Sequence, residues 1–99
     1  MTSAHTLGVL PAPEQIRVLV ELVREQILVV LREAGEEPGD VDPARPLREL
    51  GVDSLGLVKL QRLLNTATGL TLPPTVGFDH PTATDLARHL RAQLAGSAA

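Results

Sequence analysis

Chemistry has few places to reside in this chain of 99 residues. It has no cysteine, which excludes disulfides, thiolate nucleophiles and thiolate metal ligands. Its histidines, His5, His80 and His89, lack zinc-type spacing, and no structural metal is expected. The side chain that stands out is the hydroxyl of Ser54, in the run Leu50-Gly51-Val52-Asp53-Ser54-Leu55 just ahead of a leucine-rich segment. A serine there has two uses. Its oxygen can cap the helix by accepting a hydrogen bond from a free backbone N–H, the ordinary role of a serine before an apolar helix. Otherwise the hydroxyl is exposed, and a phosphate attached to it would lie at the positive end of the helix dipole. The sequence argues against a third, hydrolytic use. His80 or His89 with Asp79 or Asp85 supplies the residue types of a triad, but Gly51 and Gly56 miss the nucleophile-elbow spacing. A short all-helical chain also offers no strand-to-helix turn for an oxyanion site.

The segments that must position Ser54 are helical by pattern. A first helix starts near Pro13, a residue suited to the first helical position, with Glu14 at the positive end of the dipole. Ile16, Leu19, Val20, Val23, Ile27, Val30, Leu31 and Ala34 recur at steps of three and four, and Gly35 follows as a left-handed cap. At ~1.5 Å per residue this predicts a rod of roughly 31 Å. Glu36 to Val52 then reads as a long connector with at most one helical turn around Pro46 to Leu50, pinned by Val41, Leu47 and Leu50. A connector of that length in a compact domain is usually functional.

The second helix starts at Asp53 or Ser54 and runs to about Thr68, with Gly69 as its stop and Leu57, Leu60, Leu64 and Ala67 as its inward stripe. Thr71 to Pro74 reads as a loop and Thr75 to Asp79 as one short helical turn. Thr82-Ala83-Thr84-Asp85 has capping-box spacing with the shorter acid, and Ala83, Leu86, Leu90 and Leu94 form the last stripe. No strand or internal repeat is evident. The prediction is an all-α fold, a small four-helix bundle of three main helices plus a short third helix, with a long loop between helices one and two. Residues 1–12 read as a flexible leader, 13–95 as the domain and 96–99 as a flexible tail.

Composition narrows the function. The chain is 43% hydrophobic, enough for one core and one domain, but its apolar residues are aliphatic apart from Phe78. One aromatic ring cannot build a stacking platform for single-stranded nucleic acid or a cage for a cationic ligand. A net charge of −3, with Glu33, Glu36, Glu37, Asp40 and Asp42 uninterrupted by a base, argues further against a nucleic-acid partner. The stretch from Met1 to Pro13 lacks the basic and apolar character of a signal peptide, and nothing approaches the ~18 apolar residues of a membrane span. A cytoplasmic location and no membrane partner are expected.

One mismatch on helix two points outward. Leu55 and Val58 sit about 100° or more off the inward stripe, at the start of the helix beside Ser54, and form a small apolar patch suited to a partner surface. The competing reading packs all five apolar residues inside a central helix. Val76 and Phe78 read as core in preference to supporting such a patch.

Leu50-Gly51-Val52-Asp53-Ser54-Leu55, then Ala67-Thr68-Gly69-Leu70-Thr71-Leu72-Pro73, then Gly77-Phe78-Asp79-His80-Pro81-Thr82 closely resemble an acyl carrier protein of the polyketide synthase type. Three blocks agree in order and spacing over roughly residues 16 to 94. The resemblance implies a four-helix bundle, attachment of 4′-phosphopantetheine to Ser54, and Asp53 as the acid preceding the attachment serine. It also implies a phosphopantetheinyl transferase, an acyltransferase, a ketosynthase and other synthase enzymes as partners of a monomeric, non-catalytic carrier. Leu55, Val58, Lys59 and Arg62 are then the candidate docking residues. Two residues depart from the pattern: Lys59 stands where the resemblance leads one to expect an acid, and Gly56 where a more ordinary helix residue is expected. A peptidyl carrier of nonribosomal synthesis and a non-carrier helical interaction domain are the alternatives, and the Asp before Ser54 and the Phe78-Asp79-His80-Pro81 block favour the polyketide type.

Overall fold

The computed structural model describes residues 10–97 and contains four α-helices: α1 (Ala12–Glu33), α2 (Ser54–Thr68), α3 (Val76–Asp79) and α4 (Ala83–Ser97). A 3-10 turn, Leu47–Leu50, interrupts the long connector between α1 and α2, where the sequence places its one helical turn. Among the described residues there is no β-strand, only an isolated bridge between Pro46 and Thr82. The all-α bundle with a short third helix is thus the fold expected.

α1 starts at Ala12, one residue before Pro13, because the Gln15 N–H already donates to the Pro11 carbonyl at 3.0 Å. Residues 1–9 of the expected leader, including His5, lie outside the described residues. Leu10 is not loose: it packs against the core, and the Gln15 side chain donates to its carbonyl at 2.8 Å. α4 runs to Ser97, past the expected boundary at 95, and residues 98–99 lie outside the described ones. α1 ends in a Schellman motif, with Gly35 at φ +84° and the Glu36 N–H donating to the Leu31 carbonyl at 2.9 Å.

α1 packs mainly on α4 and also on α2, while α3 lies on α2. Leu19, Val23, Ile27, Val30 and Leu31 meet Leu57, Leu60, Leu64, Leu86, Leu90 and Leu94 in a wholly aliphatic core. Val41, Leu47 and Val52 join it from the connector. Two stripe residues are corrected: Ala34 is exposed because it lies past the last turn of α1, and Ala67 is exposed on the last turn of α2. Ile16 and Val20 are half-buried. The flank of α2 instead buries Gln61, whose amide donates to the Leu72 carbonyl at 2.8 Å, beside Asn65, whose Oδ1 accepts from the Leu72 N–H at 2.8 Å. These two side chains satisfy the backbone of the second loop and set the approach to α3.

Two further ties fix the connector. Arg24 on α1 bonds both Glu21 and Asp40, which raises its already high pKa and holds the acidic stretch against the helix. At the other end the Leu47 N–H donates to the Pro81 carbonyl at 2.8 Å, and the Thr84 N–H and hydroxyl both donate to the Pro43 carbonyl at 3.1 Å. Among the described residues no helix is long and apolar enough to cross a membrane.

Candidate functional site

The path of the chain into α2 decides what Ser54 can do. Gly51 closes the 3-10 turn at φ +102°, a left-handed conformation that residues with a Cβ rarely adopt. Val52 is then buried, its N–H donating to the Leu47 carbonyl at 3.1 Å. Asp53 is the N-cap: its Oδ1 accepts from the Gly56 N–H at 2.8 Å, and its carbonyl accepts from the Leu57 N–H at 2.9 Å. Ser54 is therefore the first residue of the helix and not its cap. Its side chain is exposed, and among the described residues its Oγ has no hydrogen-bond partner. The hydroxyl stands at the N-terminal end of a 15-residue helix, whose first N–H groups have no carbonyl behind them. A negatively charged substituent is favoured there.

Gly56, unexpected in a helix interior, has a steric reason. A Cβ on it would lie 2.9 Å from Val52 Cγ1 and 3.2 Å from Val30 Cγ1, both on buried, β-branched side chains. The missing Cβ lets the first turn of α2 approach α1 closely, and the cap on the Gly56 N–H ties that approach to Asp53.

The expected outward residues are found at the surface to different degrees. Leu55 is 64% exposed, Arg62 is exposed, and Val58 and Lys59 are half-buried. Among the described residues neither Lys59 nor Arg62 takes part in an ion pair. Val76 is buried, as expected for a core residue. Phe78 is not core: it is 60% exposed on α3, with Leu55 one of two large exposed hydrophobics among the described residues. The reason is local. α3 turns Val76 and Gly77 toward α2, and Gly77 sits so close that a Cβ would meet Leu57 Cδ2 at 2.8 Å, so the next residue is carried outward. Sequence reading missed this residue because a single turn carries no periodicity from which to assign a face.

The triad residue types do not assemble on Ser54. His80 and His89 instead stack on one another, ring centroids 4.1 Å apart and planes 20° from parallel. Burial lowers the His89 pKa below the usual imidazole value, the facing His80 lowers it further, and Asp79 opposes the shift. Among the described residues there is no group of three or more His, Asp or Glu side chains that could hold a metal. The arrangement is thus an accessible acceptor oxygen in a field suited to a phosphodiester, with no hydrogen-bonded base beside it.

The profile of the family described as the phosphopantetheine attachment site matches residues 18–90. The chain belongs to that family. Phosphopantetheine attachment domains carry the group covalently, and the site described above fits it, since Ser54 supplies an unengaged oxygen and the α2 terminus a favourable place for the phosphate. The chain is 50% identical over 94 residues, 95% of its length, to a type I polyketide synthase of phenolphthiocerol synthesis from Mycobacterium bovis, of which it spans 4%. Among solved structures, an A1-type ACP domain from module 5 of MLSA1 superposes with a TM-score of 0.80 at 40% identity, covering 91% of this chain and 88% of that one. A free-standing peptidyl carrier protein from Acinetobacter baumannii gives a TM-score of 0.69 at 29% identity, covering 81% and 96%. Both measures favour the acyl over the peptidyl carrier, and the attachment domain has the fold and cofactor that its three sequence blocks led one to expect.

Proposed function

We propose that this domain is an acyl carrier of a polyketide synthase, with Ser54 as the residue that bears 4′-phosphopantetheine. The observation that carries the assignment is the division of labour at the α2 terminus: Asp53 takes the cap, and Ser54 Oγ is left exposed. The phosphopantetheine supplies the thiol on which acyl groups ride as thioesters, which accounts for carrier chemistry on a chain without cysteine. The domain itself holds the arm and presents it, and catalysis belongs to the enzymes it visits. Tethering raises the effective concentration of cargo at each active site, so docking contacts can be weak and quickly broken. The folded unit, read from the sequence as residues 13–95, encloses the family match at 18–90.

The partners follow from the same reading: a phosphopantetheinyl transferase, then an acyltransferase, a ketosynthase and other synthase enzymes. Leu55, Val58, Lys59 and Arg62 form the proposed docking face, and Phe78 is added to it on account of its exposure. Lys59 and Arg62, without ion-pair partners among the described residues, make this face suited to acidic partner surfaces.

The test is intact mass after incubation with coenzyme A and a promiscuous phosphopantetheinyl transferase. Wild type is expected to gain one phosphopantetheine and Ser54→Ala none; no gain on wild type, or equal gain on the variant, overturns the assignment. Loading with malonyl-type against aminoacyl thioesters distinguishes the acyl from the peptidyl carrier. For the docking face, Lys59→Glu is expected to slow transfer to a cognate enzyme with an unchanged helical circular-dichroism spectrum. Equal transfer rates at low salt would remove Lys59 from it.

A further inference from the structure

The three long helices each have a side-chain hydrogen bond to another segment: Arg24 to Asp40, Gln61 to Leu72, Thr84 to Pro43. α3 is held differently. Among the described residues no hydrogen bond or ion pair ties residues 75–80 to another helix or to the connector. The Phe78 and Asp79 N–H groups donate to the Thr75 carbonyl at 2.9 and 3.1 Å, and the His80 N–H donates to that of Val76 at 2.9 Å. What keeps α3 in place is packing: Val76 is buried, Gly77 lies against Leu57 of α2, and the half-buried rings of His80 and His89 stack at 4.1 Å. The stack is the tie to α4. Beyond it the chain is fixed, since the Pro81 carbonyl accepts from the Leu47 N–H at 2.8 Å. Exposed Phe78 lies between Gly77 and His80, on the one turn that these two contacts hold.

We propose that His89 is a positioning residue for the docking face: its ring, stacked on His80, latches the end of α3 to α4 and so holds Phe78 in place. The use of that face rests on the carrier reading; the latch adds a residue on α4 that acts on the face through His80. The latch needs uncharged rings. Burial and the facing His80 hold His89 below the usual imidazole value, against the opposing effect of Asp79, so its ring is neutral at about pH 7. The other charged groups on the segments that meet here are Asp85, Arg88 and Arg91 on α4, and Arg48 and the Arg45–Glu49 pair on the connector. Of all these groups His80 and Asp79 are the ones that act on His89. Two protons on the pair set like charges face to face at 4.1 Å, with Asp79 to offset one of them. Acid therefore opens the stack and releases α3.

The test combines nitrogen-15 relaxation on the full chain with transferase kinetics. Order parameters of the Gly77 and Phe78 amides are expected near the rigid value of about 0.85 at about pH 7.5 and to fall toward about 0.6 at about pH 5, while Leu60 and Leu64 stay rigid. His89→Tyr keeps a ring that gains no proton in this range and is expected to hold α3 rigid at both pH values. His89→Ala is expected to leave α3 mobile at both. A wild-type α3 equally rigid at the two pH values, or an α3 as rigid in His89→Ala, overturns the latch and leaves the carrier assignment standing. With coenzyme A and a phosphopantetheinyl transferase, His89→Ala is expected to raise KM several-fold at unchanged kcat, and His89→Tyr to restore it. An unchanged KM beside a mobile α3 overturns the positioning role. Failure of wild type to load overturns the carrier reading instead, and the relaxation data still decide the latch.

Discussion

The two helices α2 and α4 begin by the same device and end up in opposite surroundings. In each, a side-chain oxygen of the N-cap accepts from the backbone N–H three residues on: Asp53 from Gly56 at 2.8 Å, and Thr82 from Asp85 at 3.1 Å. At α4 the start is closed over. Thr82 bridges to Pro46, Thr84 bonds to Pro43, and Ala83 and Leu86 are completely buried. At α2 the cap is followed by exposed Ser54 and Leu55. Exposure of a helix start is therefore not a by-product of capping; it depends on whether the connector is folded over that end. Here the connector covers α4 and leaves α2 open, which gives the access that the proposed attachment at Ser54 requires.

Stability measurements can break that comparison. The largest effect is expected at the covered start: Leu86→Ala should cost about 2–5 kcal/mol in chemical denaturation, whereas Leu55→Ala stays within about 0.5 kcal/mol. Similar losses at the two sites would mean that Leu55 is a core residue in solution. A smaller effect separates the cap from the proposed attachment residue. Asp53→Ala and Thr82→Ala should each lose about 1 kcal/mol, and Ser54→Ala much less than either. A Ser54→Ala cost equal to that of Asp53→Ala would return the cap to the hydroxyl. The smallest effect is on pH. His89 has a lowered pKa when folded, so the unfolded chain takes up its proton first as pH falls. Its contribution is fully present above the ordinary imidazole value of ~6.5 and is lost as pH drops through that range toward the lower folded value. Melting temperature should decline over this interval in wild type and more shallowly in His89→Gln; equal slopes would show that the stack does not bias the titration.

Much of this was legible in the residue order because it is local. The α1 stripe, the Gly35 and Gly69 stops, the Thr82 cap and the inward Leu57, Leu60 and Leu64 all follow from repeats of three and four and from end signals. Ser54 stood out as the candidate site through its flanking blocks. Its freedom was not, since Asp53 and Ser54 are both good caps and only the fold of the preceding turn chooses between them. Gly56 looked like a defect until Val30, far away in sequence, was seen against it. Phe78, Gln61 and the His80–His89 stack were hidden for the same reason: each depends on which segment the tertiary fold lays alongside.

The exposed position of Phe78 has an experimental consequence. With neither Trp nor Tyr in the chain, and its one Phe outside the core, no ring reports on the packing of the interior. The unmodified protein is nearly silent in ultraviolet absorbance and intrinsic fluorescence, and its folding must be followed by backbone signals. That silence is useful: with Phe78→Trp the new indole would be the lone emitter, set on the surface as part of the proposed docking face. Its spectrum would register the arrival of a partner enzyme against a dark background.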